Sequence, residues 1–325
     1  MKIFITGATG FIGTHLIQIL DGKGHYLKCL VRKTSNVENL LKHNCELVYG
    51  DVTDKASFVK GMQGCDFLIN LANIYSFWEP DDSIYKKVNV DGTRNVLESA
   101  LETGIKKVFH ISTVAIFGKP AECPFNEESQ PGPVRFSEYS RTKYEGDKIA
   151  WELYDKKHLP LVVLYPAAVL GSGDTQATGQ YIKLLVKRKM PVVACTRSSL
   201  TYVHVKDVAN AIEKALEKKD NLGERYIIGK EQLTIGEINK IVGEISGVPI
   251  PKIELPGWMT LINAYILTLI ADIIKKPPLW GMARDQISIL IKGFRADGSK
   301  ADKDLGIEYL SVSSALKEMV HTLKN

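Results

Sequence analysis

Two residues capable of acid–base chemistry stand four positions apart in this 325-residue sequence. Tyr139 and Lys143 bracket the segment Tyr139-Ser140-Arg141-Thr142-Lys143, and this spacing places both side chains on one face of a helix, one turn apart. Free tyrosine has a pKa of about 10 and is a poor base at neutral pH. A neighbouring ammonium group favours the phenolate. The pair predicts a proton-transfer couple, although the same spacing also occurs in helices that do no chemistry.

A hydroxyl group stands at the end of a predicted strand over residues 107–111. That strand is followed directly by Ser112 and Thr113, and the carboxyl ends of strands are where open α/β sheets bind their ligands. Either hydroxyl is suited to hydrogen-bond a reacting oxygen and to hold it beside Tyr139.

A glycine-rich loop begins the chain. Gly7, Gly10 and Gly13 lie between a predicted strand at residues 2–6 and a predicted helix at residues 11–20. Glycines at such a junction allow a sharp turn, a close approach of the backbone to a pyrophosphate and tight helix–strand packing. The helix start then presents free N–H groups to the phosphates. The spacing is GxxGxxG rather than GxGxxG, and it predicts a dinucleotide site.

The residues after the second strand indicate which dinucleotide binds. Arg32 and Lys33 follow that strand, and no acid stands there. A carboxylate at this place would bond a ribose 2′-hydroxyl, whereas an arginine accepts a 2′-phosphate. We therefore expect NADP(H) rather than NAD(H). Asp51, after the third strand, is expected either near the adenine or in a plain turn.

Short apolar runs alternate with helical patterns through the first half of the chain. The strands are predicted at residues 2–6, 26–32, 46–49, 66–71, 107–111 and 161–165. The helices between them are predicted at residues 11–20, 54–61, 89–102 and 139–156. This alternation predicts an α/β fold with a doubly wound parallel sheet covered on both faces.

The pattern changes after about residue 170, where we expect a smaller mixed lobe. Residues 1–170 are expected to form the dinucleotide-binding domain, to which residues 201–230 return, and residues 171–325 to form mainly the substrate lobe. Asp207 is expected to cap a helix over residues 208–217. Thr234 and Glu237 have the spacing of a capping box.

Composition excludes several classes of protein. The formal net charge of +5 is too small for its length to indicate a nucleic-acid partner. The five cysteines form no CxxC pair, so we expect neither a disulfide framework nor a zinc site, and no metal. The first apolar run is too short for a signal peptide, and a cytoplasmic location is expected.

One segment near the C-terminal end raises the question of a membrane. Residues 255–271 carry no charge but include Thr260, Asn263 and Thr268, whereas a membrane span needs about 20 mostly apolar residues. We expect a buried or amphipathic helix and no transmembrane segment. Contact between residues 255–274 and a membrane surface stays open.

Taken together, these motifs resemble those of the extended short-chain dehydrogenases/reductases, the NAD(P)-dependent epimerase/dehydratase family. The glycine loop is followed by Ser112-Thr113 and by Tyr139 with Lys143, and residues 70–72, 89–93 and 202–209 match as well. The resemblance covers nearly the whole chain. It implies a Rossmann fold and a homodimer formed through the Tyr139 helix.

The resemblance also implies roles for individual residues. Tyr139 and Lys143 would transfer the proton, Lys143 would hold the nicotinamide ribose, and Thr113 would occupy the position of the family's catalytic hydroxyl, where serine is usual. Further cofactor contacts are implied at Thr9, Phe11, Ile12, Val52, Leu71, Ala72, Pro166 and Val169.

The branch of this family that the sequence most resembles is the dihydroflavonol-reductase-like one. Residues 31–32 and 166–174 resemble that branch, and the arginine that nucleotide-sugar members carry before the His-Val segment is absent, since Leu200-Thr201-Tyr202 stands there. Aromatic and amide side chains suggest an apolar substrate pocket; the candidates are Tyr75, Phe77, Trp78, Gln180, Tyr181 and Tyr202. We expect an oxidoreductase acting on the carbonyl or alcohol of an apolar or aromatic small molecule. A sugar or nucleotide-sugar epimerase or dehydratase, and a non-catalytic dinucleotide sensor, are the alternatives.

Overall fold

The computed structural model describes residues 1–324 and contains a seven-stranded parallel sheet. Its strands are β1 Lys2–Thr6, β2 Tyr26–Val31, β3 Cys45–Tyr49, β4 Phe67–Asn70, β5 Lys107–Ile111, β6 Leu161–Pro166 and β10 Arg225–Ile228. Their order across the sheet is β10-β6-β5-β4-β1-β2-β3, and each neighbouring pair is parallel. The order reverses direction at β1, so the predicted α/β, doubly wound fold is confirmed.

Helices cover this sheet because its central strands are buried along their whole length. Every residue of β5 and β6 is buried, which requires cover on both faces. Within the layers helix α1 (Phe11–Gly22) packs against α7 (Val205–Glu217), and α4 (Thr93–Glu102) packs against α5 (Glu138–Lys157). The helices are α1 Phe11–Gly22, α2 Val59–Met62, α3 Ser83–Tyr85, α4 Thr93–Glu102, α5 Glu138–Lys157, α6 Ala177–Val186, α7 Val205–Glu217, α8 Ile235–Ser246, α9 Gly257–Ile274, α10 Arg284–Lys292, α11 Ser299–Leu305 and α12 Val312–Lys324.

A smaller set of strands lies outside the large sheet. β7 Ala168–Leu170, β9 Ser199–His204 and β11 Glu231–Thr234 form one sheet, in which β9 is parallel to β7 and antiparallel to β11. β8 Val193–Ala194 pairs with β12 Glu254–Leu255. α6, α8 and α12 pack over a second apolar core beside these strands. The proposed division into two domains stays a prediction, although β10 does join the large sheet.

Two local predictions have different outcomes. The capping box at α8 is confirmed, since the Thr234 side chain accepts from Glu237 N–H and the Glu237 carboxylate accepts from Thr234 N–H. The predicted cap at Asp207 is wrong. α7 begins at Val205, three residues before the predicted start, with His204 as its N-cap, and the Asp207 carboxylate instead accepts the Leu310 N–H at 2.9 Å. The distant partner at Leu310 could not be read from local spacing.

The predicted helix over residues 89–102 also has a different start. Residues Lys86–Gly92 form a π-helical segment, and the α-helical hydrogen bonds begin at Thr93. The wider turn places the buried side chain of Asn89 between two elements. Its amide oxygen accepts from Ile74 N–H at 2.8 Å, and its NH₂ group donates to the Thr142 hydroxyl at 3.1 Å. Asn89 therefore ties the segment after β4 to α5.

A buried polar chain crosses the three strands at the switch in sheet order. The Thr6 hydroxyl at the end of β1 donates to the Asn70 amide oxygen of β4 at 2.6 Å, and the Asn70 amide lies 3.2 Å from His110 Nδ1 of β5. The Thr6 hydroxyl also accepts from Ala72 N–H at 3.1 Å. The carboxyl ends of β1, β4 and β5 are thereby held together at one edge of the sheet.

Candidate active site

The glycine loop after β1 has the backbone geometry of a phosphate cradle. Gly7 has φ +71°, and a Cβ there would lie 2.8 Å from Ala72 N. A Cβ on Gly13 would lie 2.3 Å from the carbonyl oxygen of Gly7. A Cβ on Gly10 would meet a single atom, the same carbonyl oxygen at 3.2 Å, and otherwise open space. Gly7 and Gly13 are therefore required for packing, and Gly10 leaves room for a ligand above the loop.

The start of α1 offers free hydrogen-bond donors beside that space. Gly10 is its N-cap, no side chain caps the helix, and its first turn holds no acid. The first N–H groups, from Phe11 onward, therefore have no partner within the helix. These donors and the positive end of the helix dipole suit a pyrophosphate. Thr9 and Ile12 lie in the same loop and turn and are half-buried. The residues present fit a dinucleotide.

The three positions that follow β2 and β3 differ in how free their side chains are. Arg32 is exposed, and within residues 1–324 its guanidinium makes no hydrogen bond or ion pair, while its backbone N–H donates to Ser35 Oγ. The Asp51 carboxylate accepts from both the N–H and the hydroxyl of Thr53 at 2.8 Å. Val52 is buried. Arg32 is thus available for a ligand, whereas Asp51 is already engaged in a local turn.

Other predicted cofactor residues lie along the same edge of the sheet. Leu71 and Ala72 touch the glycine loop through their backbone, as the Cβ geometry of Gly7 shows. Pro166 ends β6 and Val169 lies in β7. The loop at residues 171–174 returns to α1, where His15 Nε2 lies 3.2 Å from the carbonyl oxygen of Ser172.

The catalytic candidates meet where α5 begins. The Ser137 side chain accepts from Ser140 N–H and the Ser140 side chain accepts from Ser137 N–H, which fixes the first turn of the helix. Tyr139 and Lys143 then lie one turn apart and are both buried, as is Thr113. The Lys143 ammonium donates to the carbonyl oxygen of Ile111 at 2.8 Å. Helix α5 and the end of β5 thereby hold one another in register.

The hydroxyl of Thr113 can still donate a hydrogen bond. Its oxygen accepts from Ala115 N–H at 3.2 Å and caps a short 3₁₀ turn, Val114–Phe117. A hydroxyl that accepts one bond in this way retains a donor for another oxygen. Ser112 is buried too, and its hydroxyl stabilises the charged form of the Asp147 carboxyl.

The electrostatics differ from the expectation that an ammonium acidifies Tyr139. Burial raises the pKa of Tyr139 well above its ordinary value, because the phenolate is poorly solvated there, and the Thr113 hydroxyl opposes this in part. Burial lowers the pKa of Lys143 to about 8, with the Asp147 carboxylate acting in the other direction. In this structure the phenol is therefore a protonated acid, and the ammonium is directed to Ile111 rather than to the phenol.

Asp147 is a site residue that the motif search missed. It lies one turn beyond Lys143 on α5 and is buried. Burial raises the pKa of its carboxyl to about 6, against the stabilising effects of Ser112, Lys143, Arg225 and Tyr165. The Tyr165 hydroxyl donates to its carboxylate at 3.3 Å. A second interval of four residues after Tyr139 and Lys143 was the available signal.

Two aromatic side chains lie directly against the candidate acid. The ring of Tyr75 is 5.0 Å from that of Tyr139, and the ring of Phe77 is 6.2 Å away, both edge-to-face. Tyr75 also lies near Asp174 and Thr178. Burial raises the pKa of the Tyr75 phenol, Asp174 raises it further, and the Thr178 hydroxyl lowers it in part. The segment after β4 therefore covers Tyr139 and reaches the second lobe.

The other predicted substrate residues are further apart. The Trp78 indole donates to Asp272 of α9 at 2.9 Å. The Gln180 amide donates to the Thr175 carbonyl, the Tyr181 hydroxyl donates to Asn239, and Tyr202 is buried in the second core. Tyr75 and Phe77 thus share one site with Tyr139, whereas these contacts engage Gln180, Tyr181 and Tyr202 within the smaller lobe. Their role toward substrate stays a prediction.

A cavity of about 270 Å³ lies beside the covered phenol. Its wall includes Phe77 and Trp78, the start of α5, and Asp272 and Arg284. Two of its three cations pair with carboxylates: Arg141 with Glu138 and Glu145, and Arg284 with Asp285 at 3.2 Å. The third, Arg135, donates to the Gly132 carbonyl and lies over the Tyr144 ring. Tyr139 is not part of this wall, so the cavity adjoins the acid without containing it.

Comparison with known proteins identifies a family, two relatives and a structural neighbour of this chain. Residues 3–229 match the model of the family described as NAD dependent epimerase/dehydratase family. A protein of Synechocystis named "Putative dihydroflavonol 4-reductase" is 30% identical over 99% of this chain and 94% of its own length. Sterol demethylase protein B of Methylococcus capsulatus is 28% identical over 98% of this chain and 97% of its own. The crystal structure of a UDP-glucuronic acid 4-epimerase of Bacillus cereus in complex with NAD superposes with a TM-score of 0.78, at 25% identity, covering 100% of this chain and 96% of that one.

Proposed function

The chain belongs to the NAD dependent epimerase/dehydratase family and is an NAD(P)-dependent oxidoreductase of the extended short-chain type, and we propose that it transfers a hydride between NADP(H) and a carbonyl or alcohol carbon of an apolar small molecule. The observation that carries the substrate class is the pair of aromatic rings, Tyr75 and Phe77, packed on Tyr139. A ligand that approaches the phenol would contact these two rings, and aromatic surface favours apolar molecules.

Each part of the proposed reaction has a candidate residue. The glycine loop and the start of α1 would hold the pyrophosphate, and Lys143 would hold the nicotinamide ribose. NADP(H), when bound, supplies or accepts the hydride. The Thr113 hydroxyl would donate a hydrogen bond to the substrate oxygen and hold that oxygen beside Tyr139. The protonated phenol of Tyr139 then gives its proton to the oxygen as a carbonyl is reduced.

The charged groups favour an apolar substrate over a nucleotide sugar. A diphosphate binds best to a free guanidinium with two parallel donors. Of the three guanidinium groups in the cavity wall, those of Arg141 and Arg284 are already paired with carboxylates. That of Arg135 donates to the Gly132 carbonyl and lies over the Tyr144 ring, so a diphosphate would have to displace these partners. The relative from Methylococcus is named for a sterol, which supports the same substrate class.

Arg32 supports the choice of NADP(H). Its guanidinium follows β2, is exposed and has no partner within the described chain. A free arginine at this place matches a 2′-phosphate, and the position holds no carboxylate to accept from a 2′-hydroxyl.

The test is a spectroscopic assay of NADPH oxidation with a panel of apolar ketones, aldehydes and flavonoid-like carbonyls. We expect stoichiometric loss of the reduced-nicotinamide absorbance with at least one apolar carbonyl. Tyr139→Phe is expected to lower kcat by about 10²–10⁴-fold while NADPH binding is retained, because a positioned acid contributes that factor. Tyr144→Phe, on the same helix, is the matched control and should retain activity.

Three results would contradict the proposal. Interconversion of a sugar or nucleotide sugar with no net change in nicotinamide absorbance would establish an epimerase instead. Full activity of Tyr139→Phe would exclude the assigned acid, and a protein that binds NADPH but turns over no carbonyl in the panel would be a dinucleotide sensor.

A further inference from the structure

Helix α9 presents large apolar side chains to the solvent. The sequence favoured a buried or amphipathic helix here, but of its 18 residues only Thr260, Ala264 and Ala271 are buried. Seven of its large side chains are at least half exposed, and the seventh is Ile274 at the end of the helix. The other six form what we call the α9 face: Trp258, Ile262, Tyr265, Ile266, Leu269 and Ile273. The buried residues of the helix are small, whereas many of its large apolar residues face the solvent.

The spacing makes these side chains one continuous surface. Positions 258, 262, 265, 266, 269 and 273 recur at intervals of three, four or one, which places them along one face of a helix about 27 Å long at 1.5 Å per residue. Soluble monomers rarely expose a continuous apolar patch above a few hundred Å² without a partner for it. The α9 face therefore indicates an interaction surface.

The groups at the ends of the helix indicate what that partner is. Exposed tryptophans stand at both ends, Trp258 in the first turn and Trp280 just beyond the last. Lys252 lies before the helix and Lys275-Lys276 directly after it, all exposed. Amphipathic rings with flanking lysines suit the boundary between lipid tails and headgroups, where the ammonium groups reach anionic phosphates.

The charges beside the α9 face have a small positive excess. Two carboxylates lie there: Asp272 accepts the Trp78 indole N–H, and Glu254 accepts from Thr196 N–H at 3.1 Å. Three lysines lie there too, and two of them, Lys252 and Lys276, have no hydrogen-bond or ion-pair partner within residues 1–324. The excess of positive charge complements an anionic surface.

The helix is long and apolar enough to cross a membrane by composition alone, with a mean hydropathy of 1.6. It is nevertheless attached along one side, because α9 packs against α10 and Arg284 N–H donates to the Thr268 hydroxyl at 2.8 Å. A helix fixed in this way lies in the plane of an interface rather than spanning it.

α9 also borders the candidate active site. Asp272 holds the Trp78 indole, and Lys275 donates to the Pro80 carbonyl at 3.3 Å, both in the segment that covers Tyr139. Thr268 and Asp272 line the cavity beside the phenol. A surface in contact with the α9 face is thus one helix away from that cavity.

From these contacts we propose that the α9 face docks the protein on the surface of an anionic lipid bilayer, in the plane of one leaflet. The bilayer then supplies the apolar substrate to the aromatic rings of Tyr75 and Phe77 over Tyr139, a part of the proposal that rests on the proposed function. Docking itself does not depend on the reaction.

The experiment is vesicle flotation of the full chain with phosphatidylcholine vesicles, with and without phosphatidylglycerol. We expect the protein to float with vesicles and to bind the anionic ones more tightly. Leu269→Glu with Ile273→Glu should weaken binding by about tenfold or more, since each lost apolar side chain removes a contact of that order. Leu41→Glu, which alters an equally exposed leucine on the other lobe, is the control and should bind normally. Lys276→Gln should reduce the preference for anionic vesicles.

Three readouts keep the outcomes separate. Far-UV circular dichroism and NADPH binding should be unchanged in the α9 variants, and sedimentation should find the same oligomeric state in all of them. The docking proposal is overturned by a folded wild-type protein that floats with neither vesicle, by equal binding of the α9 and Leu41 variants, or by an oligomer that dissociates when α9 is altered, which would assign the face to a second copy. Turnover of a water-soluble aldehyde without vesicles tests the proposed function independently.

Discussion

Adding one methyl group at Gly13 tests the close packing of the glycine loop. An alanine Cβ there would lie 2.3 Å from the Gly7 carbonyl oxygen and 2.8 Å from two backbone atoms of Ala8. Real Cβ atoms do not approach backbone so closely, so α1 and the loop would have to separate by roughly 1 Å. Because backbone atoms cannot rotate away as a side chain does, we expect the cost of overpacking, typically about 1–3 kcal/mol.

The helix propensity of alanine offsets part of this cost. Alanine is favoured over glycine by about 1 kcal/mol within a helix, so Gly13→Ala should destabilise the fold by a net ~0–2 kcal/mol. Displacement of the loop should weaken NADPH binding by at least about tenfold, because charge-assisted N–H bonds to the phosphates are each worth about 1.5–3 kcal/mol. Urea denaturation measures the first effect and fluorescence titration with NADPH the second.

Gly22→Ala on the same helix is the matched control. Its added Cβ meets nothing within 4 Å, so it should leave NADPH binding unchanged and stabilise the fold by up to ~0.5–1 kcal/mol. The packing argument is refuted if Gly13→Ala is as stable as Gly22→Ala and binds NADPH as tightly as the wild type.

Three further predictions concern single side chains. Arg32→Ala should weaken NADPH binding by about 10–100-fold, the value of a charged hydrogen bond, and change NADH binding little; equal losses in calorimetric titrations would contradict the 2′-phosphate contact, and Arg94→Ala on the α4 surface is the control. Asp147→Asn should gain stability relative to the wild type as pH rises, because burial raises the folded-state pKa of this carboxyl to about 6. The unfolded chain therefore binds fewer protons, and wild-type stability falls between about pH 4 and 6. The relative gain has an upper limit of ~3 kcal/mol, and a difference in urea denaturation that does not vary with pH would argue against it. Tyr75→Ala should raise KM for a bulky apolar carbonyl by about tenfold through lost aromatic contact, with a smaller change for a small soluble aldehyde; the reverse order in steady-state assays would contradict the assigned cover.

The sequence was sufficient where a local pattern has one structural solution. Continuous apolar strands alternating with helices predicted the parallel sheet, and the glycine triplet predicted a loop in which Gly7 takes a positive φ. The spacing of Tyr139 and Lys143 likewise predicted a shared helix face, since helical geometry alone determines it.

The remaining features depend on distant partners. Asp207 was expected to cap α7, but a backbone N–H about a hundred positions further on binds it. The Lys143 ammonium is directed to Ile111 across the sheet, which no spacing within α5 predicts. For α9, apolar composition suggested burial, yet only small residues of the helix face the protein. Hydropathy measures how apolar a segment is and not which neighbour covers it.

The hydrogen-bonded chain of Thr6, Asn70 and His110 has a consequence for how the strands align during folding. Parallel strands of uniformly apolar side chains pair almost equally well when shifted along one another, because each register buries similar surface. Only one alignment joins Thr6 to Asn70 and Asn70 to His110, and a slipped strand would leave buried polar groups without partners at about 1–3 kcal/mol each. These three side chains therefore fix the register of β1, β4 and β5, at the edge of the sheet where the candidate residue Thr113 follows β5.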